Sequence, residues 1–212
     1  KEILPLLNDL GCCASDIIQA NSVIWVEGPS DRTYINKWIS LISKNELKEG
    51  IDYSIMFYGG ALCAHISMSD ISEEETNNLI NLLSINRHSA IVCDSDKNES
   101  SSELKPNVSR LKDECAKNGK TFWVTDGRTI ENYVPIEYFK EVLKSDVKTD
   151  SYNEFSEIHF DKYNNNKPKY SKEIAEKITK DDVEKNEGLL AHIKDMIKMI
   201  ENANPVSKEL EK

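Results

Sequence analysis

The chain has 212 residues, 39% of them hydrophobic and 30% charged, with a formal net charge of −10. That length suits one α/β domain with a small helical appendage and a real buried core, while the negative balance argues against a general polyanion-binding surface. No apolar run is long enough to span a bilayer, and no signal-peptide pattern is present.

In chain order, residues 1–21 read as a short helix, a break at Gly11 and a second helical turn capped around Ser15. This is a lead-in segment rather than a domain. The run Val23-Ile24-Trp25-Val26-Glu27 is apolar and rich in β-branched residues, and Gly28-Pro29 bounds it, which predicts a buried strand ending at Glu27. Ser30 is the expected N-cap of a helix through Tyr34, Ile35, Trp38, Ile39 and Ile42. Glu27 and Asp31 then stand between a strand end and a helix start, where sites form in open α/β sheets. Taken alone, they read equally well as a surface glutamate and a capping aspartate.

Tyr53 to Tyr58 predicts a second strand, ended by Gly59-Gly60. Ser72-Glu73-Glu74-Glu75 resembles a capping box ahead of an apolar stripe from Leu79 to Ile85. Ser89 to Cys93 is the third expected strand, ending at Asp94-Ser95-Asp96, and a polar loop follows from Lys97 to Pro106. A helix through Val108, Leu111 and Cys115 closes at Gly119, and Thr121 to Val124 is the fourth strand. Asp126-Gly127-Arg128 and Glu131-Asn132-Tyr133 come next. Strands alternating with helices imply a parallel sheet.

Beyond Pro135 the pattern weakens. Ile136 to Leu143 is an expected helix, Lys144 to Tyr152 a polar linker, and Lys162 to Lys172 a flexible, basic, asparagine-rich loop. Helices through Ile174–Ile178 and Leu189–Ile200 follow, ahead of a frayed tail. The expected organisation is a lead-in at 1–21, a core at 22–135 and a helical extension at 136–212. The first residue is Lys1 rather than methionine, so we expect a piece of a longer polypeptide.

Cys12, Cys13, Cys63, Cys93 and Cys115 form no C-x-x-C, and no histidine stands at a zinc-ligand spacing from them. Unpaired, irregularly spaced thiols suggest a reducing, cytoplasmic setting. His65, His88, His159 and His192 are scattered and read as structural or exposed.

Chemistry concentrates elsewhere. Glu27/Asp31, Asp94/Asp96 and Glu131 follow three strands, and a parallel sheet puts all of them on its carboxyl edge. Asp94 and Asp96 are two apart, so in an extended segment they point to one side. Like charges this close are costly unless a cation neutralises them. Carboxylates without His or Cys favour Mg²⁺ or Mn²⁺, and such an acidic set makes room for two ions, the arrangement that acts on phosphodiesters. The negative charge of the chain therefore does not exclude nucleic acid, provided positive charge is local.

These residues resemble a family. Glu27-Gly28-Pro29-Ser30-Asp31, with Asp94-Ser95-Asp96 after an apolar strand, is similar to the Toprim signature of an E-G-x-x-D turn and a D-x-D strand end. The segments IWVEGPSDR, YSIMFYGG, DSDK and GRTIENYVP look more narrowly like the Toprim nuclease part of the OLD (overcoming lysogenization defect) family. The resemblance implies an α/β Toprim (Rossmann-like) fold: a parallel four-stranded sheet flanked by helices, with a C-terminal helical extension. It implies a DNA endonuclease dependent on two Mg²⁺ or Mn²⁺ ions, nicking or cutting both strands, in defence against phage.

By the same resemblance, Glu27 and Asp31 are the first metal-binding pair, with Glu27 also catalytic; Asp94 and Asp96 are the D-x-D ligands and Glu131 the further metal-binding acid. The family's essential lysine matches Lys167 best, with Lys169 the alternative. Lys169 and Arg128 are expected at the substrate. An ATPase domain or subunit is the implied partner, joined through residues 1–21, carrying oligomerisation and any control by ATP, since this chain has no Walker motif. A Toprim ribonuclease acting on RNA and a non-catalytic recruitment module are the alternatives. Tyr58, Tyr133 and Tyr170 read as packing or hydrogen-bonding residues, because no strand-passage domain is present.

Overall fold

The computed structural model describes residues 21–58, 86–144 and 166–205. The expectations for the lead-in segment, Gly59-Gly60, the helix after Ser72, most of the linker and the tail lie outside the described residues. Four short strands form one parallel sheet: β1 (Val23–Val26), β2 (Ser54–Phe57), β3 (Ser89–Cys93) and β4 (Thr121–Val124). Their order across the sheet is β2-β1-β3-β4. Because every strand runs the same way, the residues after Val26, Cys93 and Val124 all emerge at one edge.

Parallel strands are covered on both faces and read as continuous apolar runs. Here β1 and β3 are buried along their whole length. Ile24, Val26, Ala90, Val92 and Trp123 face the main core, whereas Trp25, Ile91 and Cys93 alternate to the other side and are also buried.

Helix α1 (Pro29–Ile42) leaves β1 after a two-residue turn, Glu27-Gly28. Gly28, not Ser30, precedes the helix. Pro29 takes the first turn, where its missing N–H is no loss and its fixed φ already fits. The Asp31 carboxylate accepts the Gly28 N–H at 2.8 Å, and Ser30 is drawn inside the helix and buried. Helix α2 (Pro106–Lys117) packs along β4 and ends at Gly119, whose φ of +64° lets Lys120 N–H reach back to Cys115 O at 2.9 Å.

A 3₁₀ turn (Ile130–Tyr133) and α3 (Ile136–Leu143) follow β4. The C-terminal part contains α4 (Lys167–Lys177), α5 (Lys180–Lys185) and α6 (Glu187–Ala203). Of the basic loop expected at 162–172, residues 162–165 lie outside the described residues, and Lys167 to Lys172 is helix instead. The Asn166 side chain caps the turn by accepting Lys169 N–H at 3.1 Å, and Pro168 sits in the first turn. Tyr170, Ile174 and Ala175 form the buried stripe that holds the helix against α1. Composition had pointed to a loop; capping and burial decide for a helix.

These helices share the core of the sheet: Ile174, Leu189, Ile193, Met196 and Ile200 join Ile35, Trp38 and Trp123 in one buried cluster. An aromatic block ties it together. Trp38 stacks on Tyr34 with centroids 5.9 Å apart and meets Trp123 and Tyr133 at 6.2 Å, and Trp123 stacks on His192 at 4.8 Å. Trp123→Ala is expected to destabilise the fold by about 3–5 kcal/mol, the range for emptying a large aromatic site. Urea unfolding measures this, and a loss below about 1 kcal/mol would mean that the block does not anchor β4.

Candidate functional site

The carboxyl edge of the sheet gathers four of the five predicted acids. Glu27 follows β1 and is exposed at the mouth, while Asp31, one turn into α1, is buried. Asp94 follows β3, and Glu131 sits in the 3₁₀ turn with no exposed surface at all. Lys167 reaches them from the start of α4, its Nζ 2.8 Å from Glu131 Oε1.

Local sequence explains the placement of Glu131. Thr129 and Asn132 cap the turn, with Thr129 N–H donating to Asn132 Oδ1 at 2.8 Å. Tyr133 then fixes its far end, its hydroxyl oxygen accepting Asp126 N–H at 2.8 Å and Trp123 Nε1–H at 3.3 Å. The turn is also tied to β3, because Ile130 N–H donates to Asp94 Oδ1 at 2.9 Å. One oxygen of Asp94 is thus spent on holding Glu131 in register.

The electrostatics show how crowded the site is. Burial, then the charges of Glu131 and Glu27, push the Asp31 carboxyl up to about 7, against the pull of Lys167 and the Gly28 N–H. Burial, with Asp31, Glu131 and Glu27 adding repulsion, drives Asp94 well above the usual carboxylate range. Burial disfavours the Lys167 ammonium, but Glu131, Asp31 and Asp94 more than offset this and hold it above its ordinary value.

A carboxylate raised in the folded state binds its proton more tightly there than in the unfolded chain. The Asp31 contribution is therefore fully present below pH ~4 and is lost as pH rises through about 7. In EDTA, the metal-free protein should lose stability between pH 5 and pH 8. Asp31→Asn keeps an acceptor for Gly28 N–H and should flatten that slope in urea melts. An unchanged slope in the variant would show that Asp31 does not carry it.

Asp96 does not join the others. Its backbone turns to φ +53°, so the extended geometry that would align it with Asp94 is broken. Its carboxylate pairs instead with Lys105 Nζ at 2.7 Å, both side chains being 41% exposed. Arg128 lies beside this loop, donating to Asn98 Oδ1 and accepting Asp96 N–H on its carbonyl at 3.1 Å. Lys169 is exposed on α4, two residues beyond Lys167.

Two sets of residues at the site went unread in the sequence. Ser95 is buried between the two aspartates: its Oγ donates to Gly127 O at 2.6 Å and its N–H to Thr125 Oγ1 at 2.9 Å. This clamp joins the loops after β3 and β4, and so joins Asp94 to the Glu131 turn. The alternation of Ser95 with two acids was its only sequence signal. Tyr34 was read as core and Tyr170 as packing, yet both hydroxyls are raised by burial and by the Glu131 charge beside them.

The donor set is all oxygen, which suits a hard divalent cation. Both Glu131 oxygens are buried with no hydrogen-bond donor, Oε1 having only its ion pair with Lys167, and Tyr34 Oη is buried without a partner as well. An anionic oxygen left bare in the interior is what a cation would satisfy. Among the described residues, however, no three Asp, Glu, His or Cys side chains are drawn close enough together to grip one ion. Lys167 supplies the only positive charge paired with the buried Glu131 among the described residues. The chemistry of the site fits a metal, and its present geometry is closed around an ammonium.

No family model matches the chain, and no curated protein matches its sequence significantly. Among solved structures it is similar to the C-terminal region of the Burkholderia pseudomallei OLD protein, with 13% identity and a TM-score of 0.53 over 85% of this chain and 98% of that one. It is likewise similar to the C-terminal region of the Xanthomonas campestris pv. campestris OLD protein, with 11% identity and a TM-score of 0.51 over 87% of this chain and 98% of that one. The chain has the α/β, Toprim-like fold of these regions. Among the described residues no helix is long and apolar enough to cross a membrane.

Proposed function

We propose that this chain is the nuclease portion of an OLD-type ATPase–nuclease and hydrolyses DNA phosphodiesters with Mg²⁺ or Mn²⁺ at the carboxyl edge of its sheet. The observation that carries this reading is Glu131: a fully buried carboxylate whose two oxygens lack hydrogen-bond donors, beside Asp31 and Asp94. A binding module has no reason to hold such repulsion in its interior, whereas a metal-dependent active site does. The fold shared with OLD C-terminal regions and the E-G-x-x-D and D-x-D motifs agree with it. An ATPase part as partner and a role in phage defence follow from the motif resemblance.

Glu27, Asp31, Asp94 and Glu131 would hold metal, with Asp96 joining by leaving Lys105. When bound, metal supplies Lewis-acid activation of the attacking and leaving oxygens of a phosphodiester. Glu27, exposed at the mouth, stands where substrate enters. Lys167 brings a positive charge to the rim, where it can stabilise negative charge growing on the phosphate. Tyr34 and Tyr170, both buried, shield the Glu131 side of the site from water. Arg128 and Lys169 are left to contact the nucleic-acid backbone, which gives position without sequence readout.

The test is cleavage of supercoiled plasmid and of an RNA transcript by the purified protein, in Mn²⁺ and in EDTA. Nicked or linear plasmid in Mn²⁺ alone is the expected result. Cleavage of RNA but not DNA would move the substrate class to RNA, and no cleavage of either, by this chain alone or joined to its ATPase part, would overturn the assignment as an enzyme.

A further inference from the structure

The contact between Lys167 and Glu131 has a property that an ordinary structural ion pair lacks. One partner is fixed and inaccessible, the other free to leave. Glu131 has no exposed surface, whereas the Lys167 side chain is 43% exposed. The Glu131 backbone is pinned by the Thr129–Asn132 cap, by Ile130 N–H on Asp94 and by the Tyr133–Asp126 bond. The Lys167 backbone is equally fixed, at the start of a helix capped by Asn166 and braced by Ser171 Oγ donating to Pro168 O at 3.0 Å. Only the four-carbon stem of Lys167 can move, and it can move outward into solvent without disturbing the core.

The ammonium also leaves the site unbalanced. It faces Glu131, with Asp31 and Asp94 close enough to act on it, so one positive charge stands among three carboxyl groups. It pairs with Oε1, yet neither Glu131 oxygen accepts a hydrogen bond. A divalent cation carries twice the charge and competes, by charge repulsion, with an ammonium 2.8 Å from the same carboxylate.

We propose that Lys167 is a tethered counter-ion that closes the site in the absence of metal, and that divalent metal binding expels its ammonium from Glu131 toward the position of the substrate phosphate. This rests on the metal-dependent reading above and adds an exchange to it. Loading the metal arms the lysine, so the two charges that act on the phosphate arrive together. Metal affinity is correspondingly reduced by the fraction of time that Lys167 occupies the site. Metal bound with Lys167 still on Glu131 is the rival arrangement, and the two differ in measurable ways.

The experiment is Mn²⁺ titration followed by electron paramagnetic resonance of the free ion, for wild type, Lys167→Met and Lys167→Arg. Methionine keeps the stem and removes the charge, while arginine keeps the charge. The expected result is about tenfold tighter Mn²⁺ binding in Lys167→Met, with Lys167→Arg no tighter than wild type. Equal or weaker binding in Lys167→Met overturns the exchange and leaves the metal site standing. Absence of Mn²⁺ binding in all three proteins overturns the metal-dependent reading itself, and the exchange with it. Because Lys167→Met leaves Glu131 unpaired without metal, wild type supplies a second arm that needs no variant. Acetylation of Lys167 by an activated ester, read by mass spectrometry, should be slow in EDTA and approach the rate at Lys169 in Mg²⁺. A rate unchanged by Mg²⁺ overturns the exchange.

Discussion

Lys167→Ala should lower turnover by about two to three orders of magnitude, the scale of losing one preorganised electrostatic group. On the proposed reading, the charge of Lys167 matters most in the transition state, when negative charge moves onto the leaving oxygen. The lysine needs no search to get there: α4 presents it at the rim of the acidic cluster, already within 2.8 Å of Glu131. Lys169→Ala is the internal control, since that side chain points from the exposed side of the same helix turn, and its loss should be much milder. The paired signature is specific: an alanine or methionine at 167 that cleaves far more slowly while binding Mn²⁺ more tightly. Wild-type activity in Lys167→Ala would remove the residue from the mechanism. A dead Lys169→Ala beside an active Lys167→Ala would shift the essential lysine by two positions.

Asp94→Asn should reduce cleavage to background and, in EDTA, leave the fold as stable or more so. The anionic form of Asp94 is disfavoured, by burial first and by Asp31, Glu131 and Glu27 after it. Asparagine removes the charge and keeps an oxygen for Ile130 N–H, so the tie between β3 and the Glu131 turn survives. Relief of about 1 kcal/mol would raise the melting temperature by about 2–4 °C in a domain of this size. Catalytic residues commonly trade stability in this way. A clear fall in melting temperature in EDTA would mean that Asp94 is structural, and retained cleavage would mean that it is not a ligand.

Much of this architecture could be read from the chain because it rests on local rules. The third and fourth strands, Ser89–Cys93 and Thr121–Val124, are bounded by polar turns, the third buried throughout and the fourth buried at Trp123 and half-buried elsewhere, so their apolar runs mark them directly. Glu27, Asp31, Asp94 and Glu131 were legible for a similar reason: each follows a strand, and a parallel sheet brings strand ends to one edge. Asp96 shows where this reasoning stops. Spacing places it beside Asp94 only while the backbone is extended, and a single residue at φ +53° sends its carboxylate to Lys105 instead.

The pairing of Lys167 with Glu131 lay beyond sequence for another reason. It joins residues 36 apart in the chain, across a helix start that composition disguised as a loop. The Ser95–Thr125–Gly127 clamp was hidden likewise, because small hydroxyl side chains look like loop polarity until their partners are known.

Every role proposed for this site requires that these acids hold a divalent cation. The most direct measurement is anomalous scattering from crystals of the protein grown or soaked in Mn²⁺. The predicted result is a peak at the carboxyl edge of the sheet, within ligand distance of Glu131, Asp31 and Asp94, with the Lys167 ammonium no longer on Glu131. An empty edge at saturating Mn²⁺, with Lys167 still paired to Glu131, would contradict it.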